Sequence, residues 1–347
     1  MADKFKQELS SENKSIIVFL GMLVSIVIAF SLLHDAYLTA RNITMLFRHM
    51  SMYALTGLGL TFVIVVGHFD MSFHLVGCLA AMTTSFIIGT DLMMDSPEIG
   101  GMHIMVIPAI LLGVLAGVIC GVVNGIAVGR WKLPDMVTTI GVGSVAFGLA
   151  YLYSGGTFIY DNFLTSGILL VNEAEWFGLP FPVVLMVIAF VIAYMVLNRS
   201  KHGRRFYATG DNKIAAIFSG VKVRSYIIAA FAICCGLTSL AAILTTSAQG
   251  VGNVKASLNF LMPAYASVYI GIAVFKKASV IGTFCGTLFT TLMLNGFTLM
   301  SVPFYLSDLI IAITLIVAII ASGSEFKLFR RKKMKMRLKT SPARSLS

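Results

Sequence analysis

Charge is what this sequence has least of. Asp, Glu, Lys and Arg make up 12% of the residues, against about 25% in an ordinary soluble domain. Hydrophobic residues make up 58%, and the mean hydropathy is +0.90. The length of 347 residues would by itself suggest two or so soluble domains. The apolar composition excludes that. Cysteine is scarce as well. Cys78, Cys120, Cys234, Cys235 and Cys285 all lie inside apolar runs, and none shows CxxC spacing. They read as small buried side chains, not as a disulfide frame or a zinc site. No GxxxxGK[ST] phosphate loop, HExxH pair or nucleophile elbow is present. A chain without these is not expected to hydrolyse a nucleotide, hold a metal or act as an enzyme. Residues 1–14 are polar and mixed in charge, and no clear cleavage site follows the first apolar run. That run is expected to be a retained span.

What is present is a series of long apolar segments, near 15–33, 50–67, 69–90, 104–129, 135–153, 181–197, 224–244, 259–275, 279–299 and 305–322. Several approach the roughly 20 residues that cross a ~30 Å hydrocarbon core. The expected fold is all-α: a polytopic bundle of about ten transmembrane helices. His68, Asp70 and His74 crowd the start of the third segment, which is expected to be broken or re-entrant there.

The positive-inside rule orients such a bundle. With both termini in the cytoplasm, 23 of the 26 Lys and Arg residues fall on that side; Arg41, Arg48 and Lys255 are the exceptions. The opposite side holds Asp35, Asp91, Asp95, Glu98, Asp161, Glu173 and Glu175. The division is a cytoplasmic N-tail (1–14), a transmembrane domain (15–322) with a large cytoplasmic loop (198–223), and a basic C-tail (323–347). The tail sequence KLFRRKKMKMRLK suits anionic membrane lipid, at about 1 kcal/mol per basic residue. The net charge of +11 therefore needs no nucleic acid.

In GVLAGVICGVVNGIAVG, Gly113, Gly117, Gly121, Gly125 and Gly129 fall four apart. This places them on one helix face, where a neighbouring backbone approaches closely. The face either packs on a helix of the same chain or lines a subunit interface or moving seam. Gly282 and Gly286 repeat the spacing. Asn124 and Asn295 lie within spans and need polar partners; each either bridges helices or lines a solute path. Asp135, after Pro134, and Asp308, after Ser307, suit helix starts. Few charges remain for an ion-coupled relay, so the solute is expected to be uncharged and the energy to come from another chain.

The loop YATGDNKIAAIFSGVKV stands apart from the apolar body. Asp211 or Asn212 can cap a short helix that Gly220 ends. Its small residues favour a knob that docks into a cytosolic partner over a face lying on lipid.

At this point GRRFYATGDNKIAAIFSGVKV resembles the cytoplasmic loop of sugar-type permeases of ATP-binding-cassette importers, the ribose permease family. YALTGLGLTFVIVVGHFDMS, LPDMVTTIGVGSVAFGLAYLYSGG and LNGFTLMSVPFY resemble further segments of that family, in the same order. The resemblance covers most of the chain. It implies a type II importer-like permease in the inner membrane, working with an ATPase subunit, a second permease subunit and a periplasmic sugar-binding protein. It places no cofactor in this chain, since ATP and Mg would be bound by the ATPase. It carries over Arg204, Tyr207, Gly210, Asn212, Ala215, Ala216, Ser219 and Gly220 as ATPase-coupling residues. Bulky or charged residues at Ala215 or Ala216 are then expected to uncouple transport and spare membrane insertion. Phe69, Asn124, Tyr265 and Asn295 are candidate path residues, because aromatic faces and amides suit sugars and polyols. The chain departs from the family pattern in two places. His68, Phe69 and His74 replace Gly, Ile and Gly, and Phe275-Lys276-Lys277 replaces a glycine-rich turn. The second departure points to pairing with a different permease that keeps the glycines. An ion-coupled sugar transporter, a branched-chain amino acid permease and a lipid flippase or structural subunit are the rival readings.

Overall fold

The computed structural model describes residues 2–318 apart from 177 and 304. The basic C-tail and the end of the last expected span lie outside the described residues. In chain order the helices are α1 (Ala2–Leu33), α2 (Ala40–Val65), α3 (Phe73–Ile88), α4 (Asp91–Met94), α5 (Val106–Gly129), α6 (Asp135–Ser154) and α7 (Leu170–Glu173). They continue with α8 (Phe181–Tyr194), α9 (Lys201–Asp211), α10 (Lys213–Phe218), α11 (Val223–Gln249), α12 (Leu261–Phe275), α13 (Val280–Leu299) and α14 (Tyr305–Ala318). Two hairpins of two-residue antiparallel strands sit in the loops, Glu98–Ile99 with Met102–His103 and Glu175–Trp176 with Leu179–Pro180.

Among the described residues, seven helices are long and apolar enough to cross a membrane: α1 from Ser15, α5, α6, α8 with the turn that follows it, α11, α12 with the turn before it, and α13. The expected ten is not reached on length and composition alone. α2 has the length but carries Arg41, Arg48 and His49 in its first half. α3 and α14 are apolar but shorter. The break expected in the third segment falls at residues 66–72, ahead of α3, and α3 itself is continuous.

Local sequence sets the helix ends. Thr39 and Ser279 accept a backbone N–H of the first turn of α2 and α13. Gly155 and Gly250 close α6 and α11 at φ 58° and 65°, a region open to glycine at no steric cost.

α11 is the central helix and packs on α5, α2 and α3. The glycine stripe of α5 explains its closest contact. A Cβ on Gly121 would lie 2.5 Å from Phe231 O, and one on Gly125 2.5 Å from Ile228 Cα. A Cβ on Gly117 would meet Ser239, also on α11, whereas one on Gly113 would meet Thr84 of α3. The stripe therefore closes a seam within this chain, which corrects the subunit-interface alternative for this face. Two residues along, Leu111, Leu115, Ile119 and Val123 are exposed on the outer face of α5. Gly271 and Gly282 bring α12 and α13 together in the same way. The five cysteines are free thiols.

Candidate functional site

The large loop is two helices, not the single short one expected. α8 ends in a π turn, Met195–Arg199, a device common where a helix must re-aim the chain. Ser200 then caps α9: its Oγ accepts from His202 N at 3.0 Å and Gly203 N at 3.3 Å and donates to Val196 O at 2.7 Å. α9 is bolted to the bundle. Phe206 is buried edge-on between Phe62 and Tyr226, with centroids 5.5 and 4.9 Å away. Full burial of one such ring stabilises by about 1.5–3 kcal/mol. Gly203 lies on Leu197 O and Gly210 on Val65 O, so close that neither has room for a Cβ. Tyr207 donates to Ala278 O at 2.9 Å. That bond ties α9 to the turn between α12 and α13. Burial, with help from the charge of Asp211, pushes the Tyr207 hydroxyl above its ordinary pKa, so it stays a donor.

Asn212 ends α9 and caps α10, its Oδ1 accepting from Ala215 N at 3.0 Å. Gly220, at φ 75°, turns the chain back and lets Val221 N reach Ala216 O at 3.0 Å. Ser219 Oγ donates to Ala215 O at 2.9 Å. Between these caps α10 buries a single side chain, Ala216, at 4% exposure. Ile214, Ile217 and Phe218 are 69%, 59% and 88% exposed. Ala215 and Arg204 are exposed as well. The two alanines are thus not equivalent. Ala216 faces the bundle core, so a charge there would disturb the mount. Ala215 is the one on the open surface. The uncoupling expected at either alanine therefore has a different physical basis at each.

Beneath α9 lies the break. Gly67, at φ 78°, passes within van der Waals reach of Gly210. His68 Nδ1 is 3.2 Å from Asp135 Oδ2, and its Nε2 is 2.9 Å from Lys213 Nζ. Phe69 N also donates to Asp135 Oδ2, at 3.0 Å. Burial first, and the Lys213 charge second, lower the pKa of His68 below its usual value. The contacts themselves suit a neutral ring, with Nε2 facing the Lys213 ammonium and Nδ1 facing the Asp135 carboxylate.

Asp70 was expected at a boundary; it is fully buried. Its Oδ1 accepts from Ser72 N and Ser72 Oγ at 2.7 and 2.6 Å. Ser72 Oγ in turn accepts from Asn124 Nδ2 at 2.7 Å, and Tyr265 OH donates to Asp70 O at 2.7 Å. Phe69 stacks on Tyr265 with centroids 6.4 Å apart. Three of the four path candidates, Phe69, Asn124 and Tyr265, therefore meet around the break. Asn295 does not. It exchanges two amide hydrogen bonds with Asn42, at 2.9 and 3.0 Å, and bridges α13 to α2.

The bundle thus offers a mounted apolar knob beside a polar helix break. The family model described as branched-chain amino acid transport system, permease component, matches residues 42–319. The chain belongs to that family. It is similar to the ribose import permease protein of Bacillus subtilis, with 30% identity over 87% of this chain and 90% of that one. It is also similar to the D-allose transport system permease protein of Escherichia coli, 28% identical over 87% and 89%. The xylose/arabinose import permease protein of Sulfolobus acidocaldarius is 26% identical over 86% and 83%. No solved structure matches the chain.

Proposed function

We propose that this chain is the transmembrane subunit of an ATP-binding-cassette importer that carries a sugar or sugar-like polyol across the bacterial inner membrane. Both termini and the α9–α10 loop face the cytoplasm, in line with the distribution of Lys and Arg. α10 fits a groove on a separate ATPase subunit, which binds ATP and Mg and does the hydrolysis. A periplasmic binding protein delivers the solute to the opposite side, where the acidic loops lie. The observation that carries this reading is the geometry of α10. Three large apolar side chains, Ile214, Ile217 and Phe218, are left uncovered by the chain on a helix held by caps at both ends. A partner surface is the physical reason to keep them there.

The sugar class rests on the curated relatives, whose names specify ribose, D-allose and xylose/arabinose. The cluster of Phe69, Tyr265 and Asn124 suits such a solute: ring faces cover C–H surfaces and an amide bonds hydroxyls. A branched-chain amino acid, the solute in the family description, is a zwitterion. Among the described residues the one buried Asp, Glu, Lys or Arg is Asp70, and Ser72 already occupies it. Asp70 is likewise a poor ion-coupling relay, because it is sealed from solvent.

Two permease subunits form the path, and the second is proposed to be a different chain, because Lys276 and Lys277 stand in the turn where the resembling family carries glycines. Proteoliposomes holding this chain, its partner permease, its ATPase and its binding protein provide the test. The expected result is uptake of labelled D-ribose, D-allose or D-xylose that requires ATP on the α10 side, with leucine not taken up. Sugar uptake driven by a sodium or proton gradient without the ATPase would overturn the reading. Full activity from this chain as the sole permease would remove the heterodimer.

A further inference from the structure

We propose that His68 is a positioning residue that links the docking helix to the membrane break, by bridging Lys213 of α10 to Asp135 at the start of α6. This rests on the reading of α10 as the docking helix. The three residues lie 145 and 67 positions apart in sequence and meet through two contacts, 2.9 Å at Nε2 and 3.2 Å at Nδ1. Hydrogen-bond chemistry fixes the arrangement. A lysine ammonium has donors only, so Nε2 must accept. The ring proton then sits on Nδ1 and points at the carboxylate. The neutral Nδ1–H tautomer alone satisfies both neighbours. A protonated ring would turn a donor toward the ammonium and break the first contact by like-charge repulsion.

The bridge reaches further through Asp135. The same Oδ2 holds Phe69 N at 3.0 Å, and Oδ1 holds Met136 N of α6 at 3.0 Å. One carboxylate thus clamps the break and the α6 terminus, and the imidazole joins that clamp to α10. α11 faces the ring with Phe231, centroid 6.2 Å away, which adds no charge. Lys213 and Asp135 are the charged groups on either side. A displacement of α10 is then passed to the break, where Phe69 meets Tyr265. Ala216 packing carries the load from α10 inward; the His68 bridge carries it sideways to α6. A small residue at position 68 would leave Lys213 and Asp135 unconnected.

The test has a readout that does not depend on transport. Millisecond hydrogen exchange of segment 211–221, expressed as protection relative to the intrinsic amide rate at each pH, is measured on the full chain in lipid nanodiscs at pH 7.5 and 4.5. In the unmodified chain, protection is expected to fall about tenfold on acidification, as the bridge opens. His68→Phe should show the low protection at both pH values. His68→Gln keeps an acceptor for Lys213 and a donor for Asp135 but does not titrate, so it should stay protected at both. Equal, pH-independent protection in all three would overturn the proposal. The second arm measures sugar-stimulated ATPase activity in the assembled importer. Loss of coupling in His68→Phe with rescue in His68→Gln supports the link. Failure of the unmodified chain in this arm alone counts against the transport reading and leaves the bridge standing on the exchange data.

Discussion

α9 and α10 are neighbours of eleven and six residues that share Asn212 as a joint, yet they differ in almost every physical respect. α9 is mostly basic and polar in sequence, and the structure holds it hard against the bundle through Phe206, Thr209, Gly203 and Gly210. α10 is the more apolar in sequence, and it stands in the open with only Ala216 turned inward. The polar helix is the mount and the greasy one is the head. On the proposed docking role, force delivered to the head moves the membrane domain only if the mount does not yield, so the rigid element and the exposed element must be adjacent. A helix of six residues is far below the length that is stable alone. The caps at Asn212 and Gly220, and the mount behind them, are what keep it formed.

The largest expected effect breaks the mount. Gly210→Val would drive a branched side chain into Val65 O and the turn at Gly67. Overpacking of this kind typically costs 1–3 kcal/mol and more against rigid backbone. The expected outcome is loss of monodisperse protein on detergent size exclusion. Gly220→Ala is the matched control. It has open space around it but a positive φ, so it should cost about 1 kcal/mol and leave the chain folded. If both variants behave alike, the contact of α9 with α2 is not what holds the mount.

Much of this arrangement was legible before any coordinates, and the rest was hidden for identifiable reasons. The apolar runs, the stripe Gly113–Gly117–Gly121–Gly125, and the turn residues Asn212 and Gly220 are local signals, and each marks what its chemistry dictates. α9 was not legible as a helix, because KHGRRFYATGD carries glycine near both ends. Those glycines serve contact with neighbouring backbone, which a single segment cannot reveal. The inward face of Ala216 depends on where α10 sits, as does the bridge from His68 to Lys213 and Asp135. Asp70 read as a boundary charge because it falls in a polar run; its burial follows from α11, α5 and α12 closing over the break. Asn295 read equally well as a path residue until Asn42, 253 positions away, supplied its partner.

A smaller effect separates head from mount by function. Phe218→Glu alters the most exposed large apolar side chain described on the loop. It should leave the thermal midpoint in detergent unchanged. Binding of the purified ATPase should weaken by 30-fold or more, roughly the 2 kcal/mol of an interface hot spot. Ala216→Glu should do the reverse at first sight, lowering the midpoint because it puts a charge into the core cluster. If Phe218→Glu instead lowers the midpoint and leaves ATPase affinity intact, α10 packs on its own chain or on lipid and is no docking head.

The smallest effect concerns the other turn at this end of the bundle. Lys276 closes α12 at φ 60°, ψ 5°, the left-handed region where a glycine is usual at a helix end. The turn has the backbone shape of a glycine turn without a glycine. A side chain there costs about 1 kcal/mol relative to glycine, so the turn is a strained one. Tyr207 still reaches Ala278 O just beyond it, so the mount is built on this strained turn. Lys276→Gly should therefore stabilise the chain, raising its midpoint by roughly 1–2 °C for a protein of this size. Lys277→Gly is the control. Its φ is not positive, and glycine there should lower the midpoint slightly through the freedom it adds to the unfolded chain. Equal shifts from both would mean that lost charge, not backbone conformation, sets the stability of the turn.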